Sequence, residues 1–208
     1  MKKFCALALA AAAALSVAAP ASAGIEVRML PQSLSANVGD TISIDMQISG
    51  LGSEILSAYD LNVLFNGGLV AFDTAVFSNA LGPVSDPVFA PEATDNPGNT
   101  GLLGFSELLD DDLAAIQPDT VVFVTVSYTA LNEGAAFFTW GADPDFQRNV
   151  VGRDALTLNA SFFGTCVAIG DASCDNRVPE PATFGLAGLA LLGAGLSSRR
   201  RQPAKTAR

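Results

Sequence analysis

The stretch from residue 41 to residue 48 alternates strictly between polar and apolar side chains, and it constrains the fold more than any other feature of the chain. Its isoleucines and its methionine share one face, and polar residues occupy the other. Because successive side chains of a strand point to opposite faces, this pattern predicts a β-strand with one buried face. The Asn-Val-Gly-Asp turn at residues 37–40 marks where this strand begins.

The same alternation, punctuated by Gly, Pro, Asn and Asp, recurs as far as residue 163. It predicts further strands at residues 25–30, 58–65, 69–72, 101–106, 120–131, 135–140 and 155–163. Residues 75–100 contain four prolines and are predicted to be mostly loop, and residues 108–116 a loop or a single helical turn. Since no segment of this region has a period of 3.6, the prediction is an all-β sandwich, with a closed barrel as the competing arrangement.

The N-terminal 23 residues have the features of a secretory signal peptide. Two lysines precede an apolar stretch at residues 4–19, and Ala21 and Ala23 form a small-residue cleavage site before Gly24. We therefore expect a signal helix within residues 1–23 that is removed on export, the alternative being a retained N-terminal anchor.

The C-terminal segment has three parts with different physical properties. The motif comprises Val178, Pro179, Glu180 and Pro181, and we expect residues 179–181 to stay extended, because each proline fixes φ and removes a backbone donor. Residues 182–196 are apolar and carry no charge, and we expect a membrane helix over residues 182–198. Arg199, Arg200 and Arg201 then form a stop-transfer cluster, followed by a basic cytoplasmic tail at residues 202–208.

These three parts, at residues 179–201, resemble the PEP-CTERM sorting signal of Gram-negative bacteria. The resemblance implies that exosortase, a membrane transpeptidase-like protease, recognises the Pro-Glu-Pro motif and removes the tail. It also implies an exported protein that is transiently anchored in the inner membrane, then delivered to the cell surface or the extracellular space, in systems that accompany exopolysaccharide production. An ordinary C-terminal membrane anchor is the alternative.

Four runs of the central region, at residues 36–44, 56–65, 101–106 and 121–126, are similar to the cohesin domain. They contain the Gly-Asp-led strand, the Ser-Ala-Tyr strand that ends in an aromatic residue, a glycine-led strand and a valine-rich strand. The resemblance implies a jelly-roll β-sandwich over residues 24–165, related to carbohydrate-binding modules. Cohesins bind a dockerin.

Charge and cysteine content narrow the possible functions. Residues 24–177 hold 20 acidic residues against four arginines, a net charge of −16, which excludes a nucleic-acid partner. Cys166 and Cys174 form an even pair in an oxidising compartment, so we predict a disulfide within a linker at residues 166–178. A metal or redox pair is the alternative, but the chain has no histidine and no C-x-x-C spacing.

The absence of histidine from the sequence removes the commonest general base and the commonest metal ligand. We therefore expect a non-enzymatic protein without a cofactor, apart from a possible structural Ca²⁺ ion. Trp140, which lies at strand spacing from neighbouring phenylalanines, is predicted to pack in the core. The candidate calcium ligands lie on two acidic stretches, which could equally be solvated loops: Asp110, Asp111, Asp112, Asp143 and Asp145.

The sequence thus predicts a non-enzymatic exported protein, sorted through its Pro-Glu-Pro tail, that is a component of the cell surface or of the exopolysaccharide (biofilm) matrix. The alternative is a carbohydrate- or protein-binding module of cohesin type. The expected partners are an exosortase-type protease and either a polysaccharide or another surface protein.

Overall fold

The computed structural model describes residues 24–142 and 145–174. These residues form twelve strands, one α-helix and three short 3₁₀ segments. The strands are β1 (Ile25–Pro31), β2 (Ser35–Ala36), β3 (Thr41–Ser49), β4 (Ala58–Leu64), β5 (Val70–Phe77), β6 (Glu92–Asn96), β7 (Asn99–Phe105), β8 (Val121–Ala130), β9 (Gly134–Gly141), β10 (Arg148–Val151), β11 (Ala160–Phe163) and β12 (Thr165–Ile169). The helix α1 spans Asp110–Ile116, and the 3₁₀ segments span Asn79–Leu81, Pro87–Phe89 and Arg153–Ala155.

The strands form two sheets. The first has five strands in the order β11-β1-β3-β8-β5, and the second has seven in the order β2-β12-β9-β4-β7-β6, with β10 also paired to β4. The pairs β1 with β11 and β2 with β12 are parallel, and the other pairs are antiparallel. Strand β4 is central to the second sheet because one of its edges pairs with β7 while β9 and β10 share the other.

Apolar side chains from both sheets meet in one core. Tyr128 of β8 is fully buried, and its ring packs against Phe65, Phe72 and Phe138 at centroid distances of 5.1, 6.2 and 4.9 Å. A second ring contact crosses between the sheets, from Tyr59 in β4 to a phenylalanine of β8, at 4.9 Å. Because fully burying a large apolar side chain contributes roughly 1.5–3 kcal/mol, these rings are a principal source of the cohesion between the sheets.

The predicted all-β sandwich is confirmed, and the closed barrel is not observed. Strand β3 has the predicted alternation of buried and less buried residues, and β8 lies between β3 and β5 in the first sheet. Within the described residues, no helix has the length and apolar character needed to cross a membrane. The predicted signal helix at residues 1–23 and membrane helix at residues 182–198 lie outside those residues.

Several predicted boundaries are wrong. A single strand was predicted at residues 155–163, but this stretch begins at the end of a 3₁₀ segment, continues through an isolated bridge at Thr157 and forms a strand only in the four-residue β11. A strand cannot begin at residue 155 because Asp154 and Ala155 adopt positive φ angles of 55° and 57°. Most of residues 75–100 lie outside strands, as predicted, although this stretch also contains the end of β5, all of β6 and the start of β7. The sandwich does not end at residue 165, since residues 166–169 belong to β12 and pair with β9 rather than forming a linker.

Candidate binding surface

Most of the predicted processing residues lie outside the described part of the chain. Gly24, the residue after the predicted signal cleavage site, is the first described residue and is exposed. Outside the described residues are Ala21, Ala23, Val178, Pro179, Glu180, Pro181, Arg199, Arg200 and Arg201.

The predicted disulfide between Cys166 and Cys174 is present, with a Cα–Cα distance of 5.9 Å. Cys166 is buried in β12, and the chain turns back after that strand at Gly170, whose φ of +67° suits glycine. The bond therefore holds the end of the described chain against the second sheet.

The predicted calcium ligands are dispersed. Asp110 and Asp111 begin helix α1, where an oxygen of Asp110 accepts a hydrogen bond from the backbone N–H of Asp154 at 2.9 Å and Asp111 pairs with Arg153 at 3.2 Å. No three acidic or cysteine side chains in residues 24–142 and 145–174 converge in a way that could hold a metal ion. Asp143 lies outside those residues, so the calcium site stays a prediction.

The tryptophan and both tyrosines of the chain are buried. Trp140 is 8% exposed, as predicted for a core residue, and its indole N–H donates a hydrogen bond to the backbone carbonyl of Phe163 at 3.0 Å. Tyr59 and Tyr128 are at most 1% exposed, and this burial raises the pKa of both phenols well above the usual value. None of these three rings is therefore available to stack on a sugar at the surface.

The outer face of the second sheet carries large apolar side chains that are open to solvent. Tyr59, Leu61 and Val63 of β4 point into the core, so the alternate positions of β4 and their cross-strand neighbours point outward. The four exposed apolar residues of this face, here called the outer apolar patch, are Leu64 (38%), Leu103 (36%), Phe105 (37%) and Phe137 (57%).

The outer face of the first sheet, by contrast, is polar along its two central strands. Ser43 of β3 and Ser127 of β8 are cross-strand neighbours whose hydroxyl oxygens lie 3.2 Å apart. Next to them, the hydroxyl of Thr125 donates to a carboxylate oxygen of Asp45 at 2.7 Å. A solvated face of an antiparallel sheet normally has this polar character, and the outer apolar patch departs from it.

A cross-strand row of small or buried residues separates Leu103 and Phe105 from Leu64 and Phe137 on this face. Asn62 lies between Gly101 and Gly141 in a cross-strand row of the second sheet. The ring of Phe146 lies over Gly101, where an added Cβ would come within 2.3 Å of it, and Asn62 beneath is fully buried. The backbone N–H of Gln147 donates to a carboxylate oxygen of Asp60 at 3.0 Å, which ties this connection to β4.

The three arginines within the described residues are all engaged inside the domain. Arg28 forms an ion pair with Glu26 at 2.8 Å and stacks on the ring of Phe163 at 4.1 Å. Arg148 lies 5.2 Å from the ring of Phe162, and Arg153 pairs with an aspartate of α1. Since residues 24–177 contain 20 acidic residues, a molecule that approaches the domain meets a predominantly acidic surface.

Comparisons with known proteins found matches for the C-terminal segment and for the β-sandwich. Residues 177–201 match the PEP-CTERM protein-sorting motif, and no curated protein matches the chain. The chain carries a PEP-CTERM sorting motif and a cohesin-like domain. The motif indicates an exported protein that is processed at the membrane.

Solved structures that resemble the cohesin-like domain include several cohesins. The seventh ScaB type I cohesin from Pseudobacteroides cellulosolvens is 12% identical with a TM-score of 0.54, and the alignment covers 74% of this chain and 96% of that one. A type I cohesin–dockerin complex from Clostridium thermocellum gives 14% identity and a TM-score of 0.54, over 71% of this chain and 99% of that one. A type II cohesin from the Acetivibrio cellulolyticus cellulosome is 15% identical with a TM-score of 0.55, and the alignment covers 69% of this chain and 95% of that one. At these identities the likeness shows the fold alone.

Sequence reasoning missed the outer apolar patch. Alternation in the stretches that became β4, β7 and β9 separates two faces of each strand, but it does not say which face a second sheet will cover. The available signal was that Leu64, Leu103 and Phe137 are apolar on the face that should have been polar.

Proposed function

We propose that this protein is a non-enzymatic component of the cell surface or exopolysaccharide matrix, and that its cohesin-like domain binds a partner protein through the outer apolar patch. The observation that carries the proposal is that the two central strands of the first sheet have polar outward side chains, whereas Leu64, Leu103, Phe105 and Phe137 are exposed on the outer face of the second sheet. Exposed apolar area flanked by polar residues is typical of protein-binding surfaces.

Two further observations favour a protein over a polysaccharide as the partner. The rings that most often stack on sugars, those of Trp140, Tyr59 and Tyr128, are all buried. In addition, several of the similar cohesins were solved in complex with a dockerin, which is a protein.

The test compares binding by variants of the patch and of the opposite sheet. Phe137→Asp places a charge in the patch, and the matched control Val76→Asp does the same at a 63% exposed position of β5. Envelope proteins of the producing cell are cross-linked to the exported protein and identified by mass spectrometry. We expect at least one protein that the parent and the Val76→Asp control capture but that Phe137→Asp does not. Equal capture by both variants, or binding of purified exopolysaccharide without any protein, would contradict the proposal.

Export and sorting are tested separately. Replacing Pro179, Glu180 and Pro181 with alanine should leave a full-length, membrane-retained form that migrates more slowly on a gel, because the processing protease loses its recognition motif. Unchanged size and location would show that the motif has no sorting role in this protein.

A further inference from the structure

The turn between β4 and β5 contains the only Asn-Gly pair of the sequence, Asn66-Gly67. Asn66, Gly67 and Gly68 are all exposed to solvent. The side-chain oxygen of Asn66 accepts a hydrogen bond from the backbone N–H of Gly68 at 2.9 Å, and the backbone carbonyl of Asn66 accepts from the N–H of Leu69, also at 2.9 Å. The Asn66 side chain is therefore folded back along the peptide unit of Gly67, as in an Asx turn.

This arrangement sets an accessible nucleophile beside an activated amide. Within the described part of the chain, the N–H of Gly67 donates to no other group. Glycine has no Cβ, so nothing shields this nitrogen and the local backbone keeps its freedom to move. The N–H of Gly68 is placed to stabilise the negative charge that develops on the side-chain oxygen of Asn66 when the neighbouring carbon is attacked.

The reaction needs only water and hydroxide. Hydroxide removes the proton of the Gly67 nitrogen, which attacks the side-chain carbonyl carbon of Asn66. A new C–N bond closes a five-membered succinimide, the bond to the side-chain NH₂ group breaks, and the nitrogen leaves as ammonia after taking a proton from water. Water then adds to either carbonyl of the ring and opens it, which leaves aspartate or isoaspartate at position 66.

The carboxylate that this reaction creates would lie beside the outer apolar patch. Asn66 lines a groove of about 260 Å³ together with Leu64 and Phe137, two of the four residues of the patch, and none of the residues that line this groove is cationic. A partner that covers the groove would strip water from the new carboxylate without supplying a replacement from this chain. One more charge changes a net charge of −16 only slightly, so this local cost decides the sign of the effect.

We propose that Asn66 is a self-modifying site, which converts to aspartate or isoaspartate through a succinimide formed with Gly67, and that the resulting carboxylate weakens partner binding at the outer apolar patch. The modification follows from the turn itself, whereas its effect on binding rests on the proposed function. Partner binding would then decline with the age of the exported protein.

The modification is tested by incubating the exported protein at neutral and at mildly alkaline pH and quantifying each asparagine by peptide mass spectrometry. Asn66 should convert to the acid, and faster at the higher pH, because the attacking nitrogen must lose its proton. Asn132 is the internal control: it is also exposed, but glutamate follows it and its side-chain NH₂ group donates to the carbonyl of Gly68 at 2.7 Å. An Asn66 that stays intact, or one that converts no faster than Asn132, would overturn the proposal.

Gly67→Ala assigns the nucleophile. The fold should tolerate this change, because Gly67 does not have a positive φ and an added Cβ would come no closer than 3.7 Å to Gly98. We expect conversion of Asn66 to slow by about tenfold, which corresponds to about 1.4 kcal/mol in the activation free energy. An unchanged rate would show that the Gly67 nitrogen is not the attacking group.

The effect on binding is measured with Asn66→Asp, which supplies the charge of the product, in the same cross-linking assay as Phe137→Asp. The matched control Asn159→Asp adds a charge at an exposed position just before β11, at the edge of the first sheet. Asn66→Asp should capture several-fold less of the partner than the parent and the control do. If Asn66→Asp captures as much as the parent of a protein that Phe137→Asp fails to capture, the patch binds that protein but Asn66 does not control it. The mass-spectrometric result requires no partner, so it decides the modification independently of the proposed function.

Discussion

Gln117, at the C-terminal end of α1, joins three segments of the chain through one amide group. Its side-chain oxygen accepts from the backbone N–H of Leu56 at 2.8 Å, and its NH₂ group donates to the carbonyls of Leu56 and Ala80, both at 2.7 Å. Leu56 is fully buried and Ala80 is 8% exposed, so these backbone groups have little access to water. Gln117→Leu keeps a side chain of similar size but leaves all three backbone groups without this partner.

The expected loss follows from the cost of unsatisfied buried groups. At about 1 kcal/mol for each of three bonds, Gln117→Leu should lower the free energy of unfolding by about 3 kcal/mol. For a domain of this size that corresponds to a fall in Tm of roughly 6–12 °C, measurable by circular dichroism. Gln117→Glu should not rescue stability, because it keeps the acceptor for Leu56 but turns a carboxylate oxygen toward two carbonyls.

Gln32→Leu is the matched control, since Gln32 makes a single exposed side-chain bond to Asp45 at 3.4 Å. It should change the free energy of unfolding by less than about 0.5 kcal/mol. If Gln117→Leu melts within about 2 °C of the parent protein, the three bonds do not stabilise the fold as argued.

Three more predictions concern single features of the domain. Replacing Cys166 and Cys174 together with alanine should cost about 2.5 kcal/mol by the chain-entropy estimate for their sequence separation of 8, and adding reductant should lower the Tm of the parent but not of the variant. Both tyrosines are buried and have raised pKa values, so the folded protein should show no tyrosinate absorbance at pH 10. Because the tyrosines of the unfolded chain ionise near pH 10, the free energy of unfolding should fall as the pH rises above about 10. Tyrosinate absorbance that appears near pH 10 in the folded protein would contradict this. The hydroxyl of Ser85 donates to the carboxylate of Glu107 and lowers the pKa of that carboxyl. The contact should therefore stabilise the folded protein at pH values above the pKa of Glu107 in the unfolded chain, and this stabilisation should be lost as the pH falls through its pKa in the folded protein. In Ser85→Ala, carboxyl NMR titration should show a higher pKa for Glu107.

The parts of the fold that could be predicted are those whose pattern is local. Strand β3 alternates over nine residues and was predicted almost to its ends, and β4 lies within the strand predicted at residues 58–65. The disulfide followed from an even pair of cysteines and the expected compartment. Each of these features depends on side-chain spacing or composition, which the sequence states directly.

The parts that were missed depend on long-range pairing. Strand β6 fits between Pro91 and Pro97 at a sheet edge, where flanking prolines remove no ladder hydrogen bond that the strand needs. Residues 166–169 were predicted to be part of a linker, because two cysteines close together in the sequence indicate a small disulfide loop, yet these residues belong to β12 and pair with β9. The role of Gln117 has no sequence signal at all, since its partners are 37 and 61 residues away.

An exposed apolar patch could also serve self-association, and the charge of the protein bears on that alternative. Two copies that paired through their outer faces would bring together two domains of net charge −16 each. At physiological ionic strength, salt screens only charges that are more than about 8 Å apart, so charges closer than this across the interface would still repel one another. The same charge favours a partner with a cationic surface, because complementary charge speeds association and like charge opposes it. The two cases respond to salt with opposite sign. Raising the ionic strength should slow association with a cationic partner but promote dimerisation through the patch, since repulsion is what opposes it. Light scattering that shows a monomer at low salt, together with a partner association rate that falls as salt is added, is the expected result; a dimer at low salt that Phe137→Asp dissociates would mean that the patch serves a second copy of the chain instead.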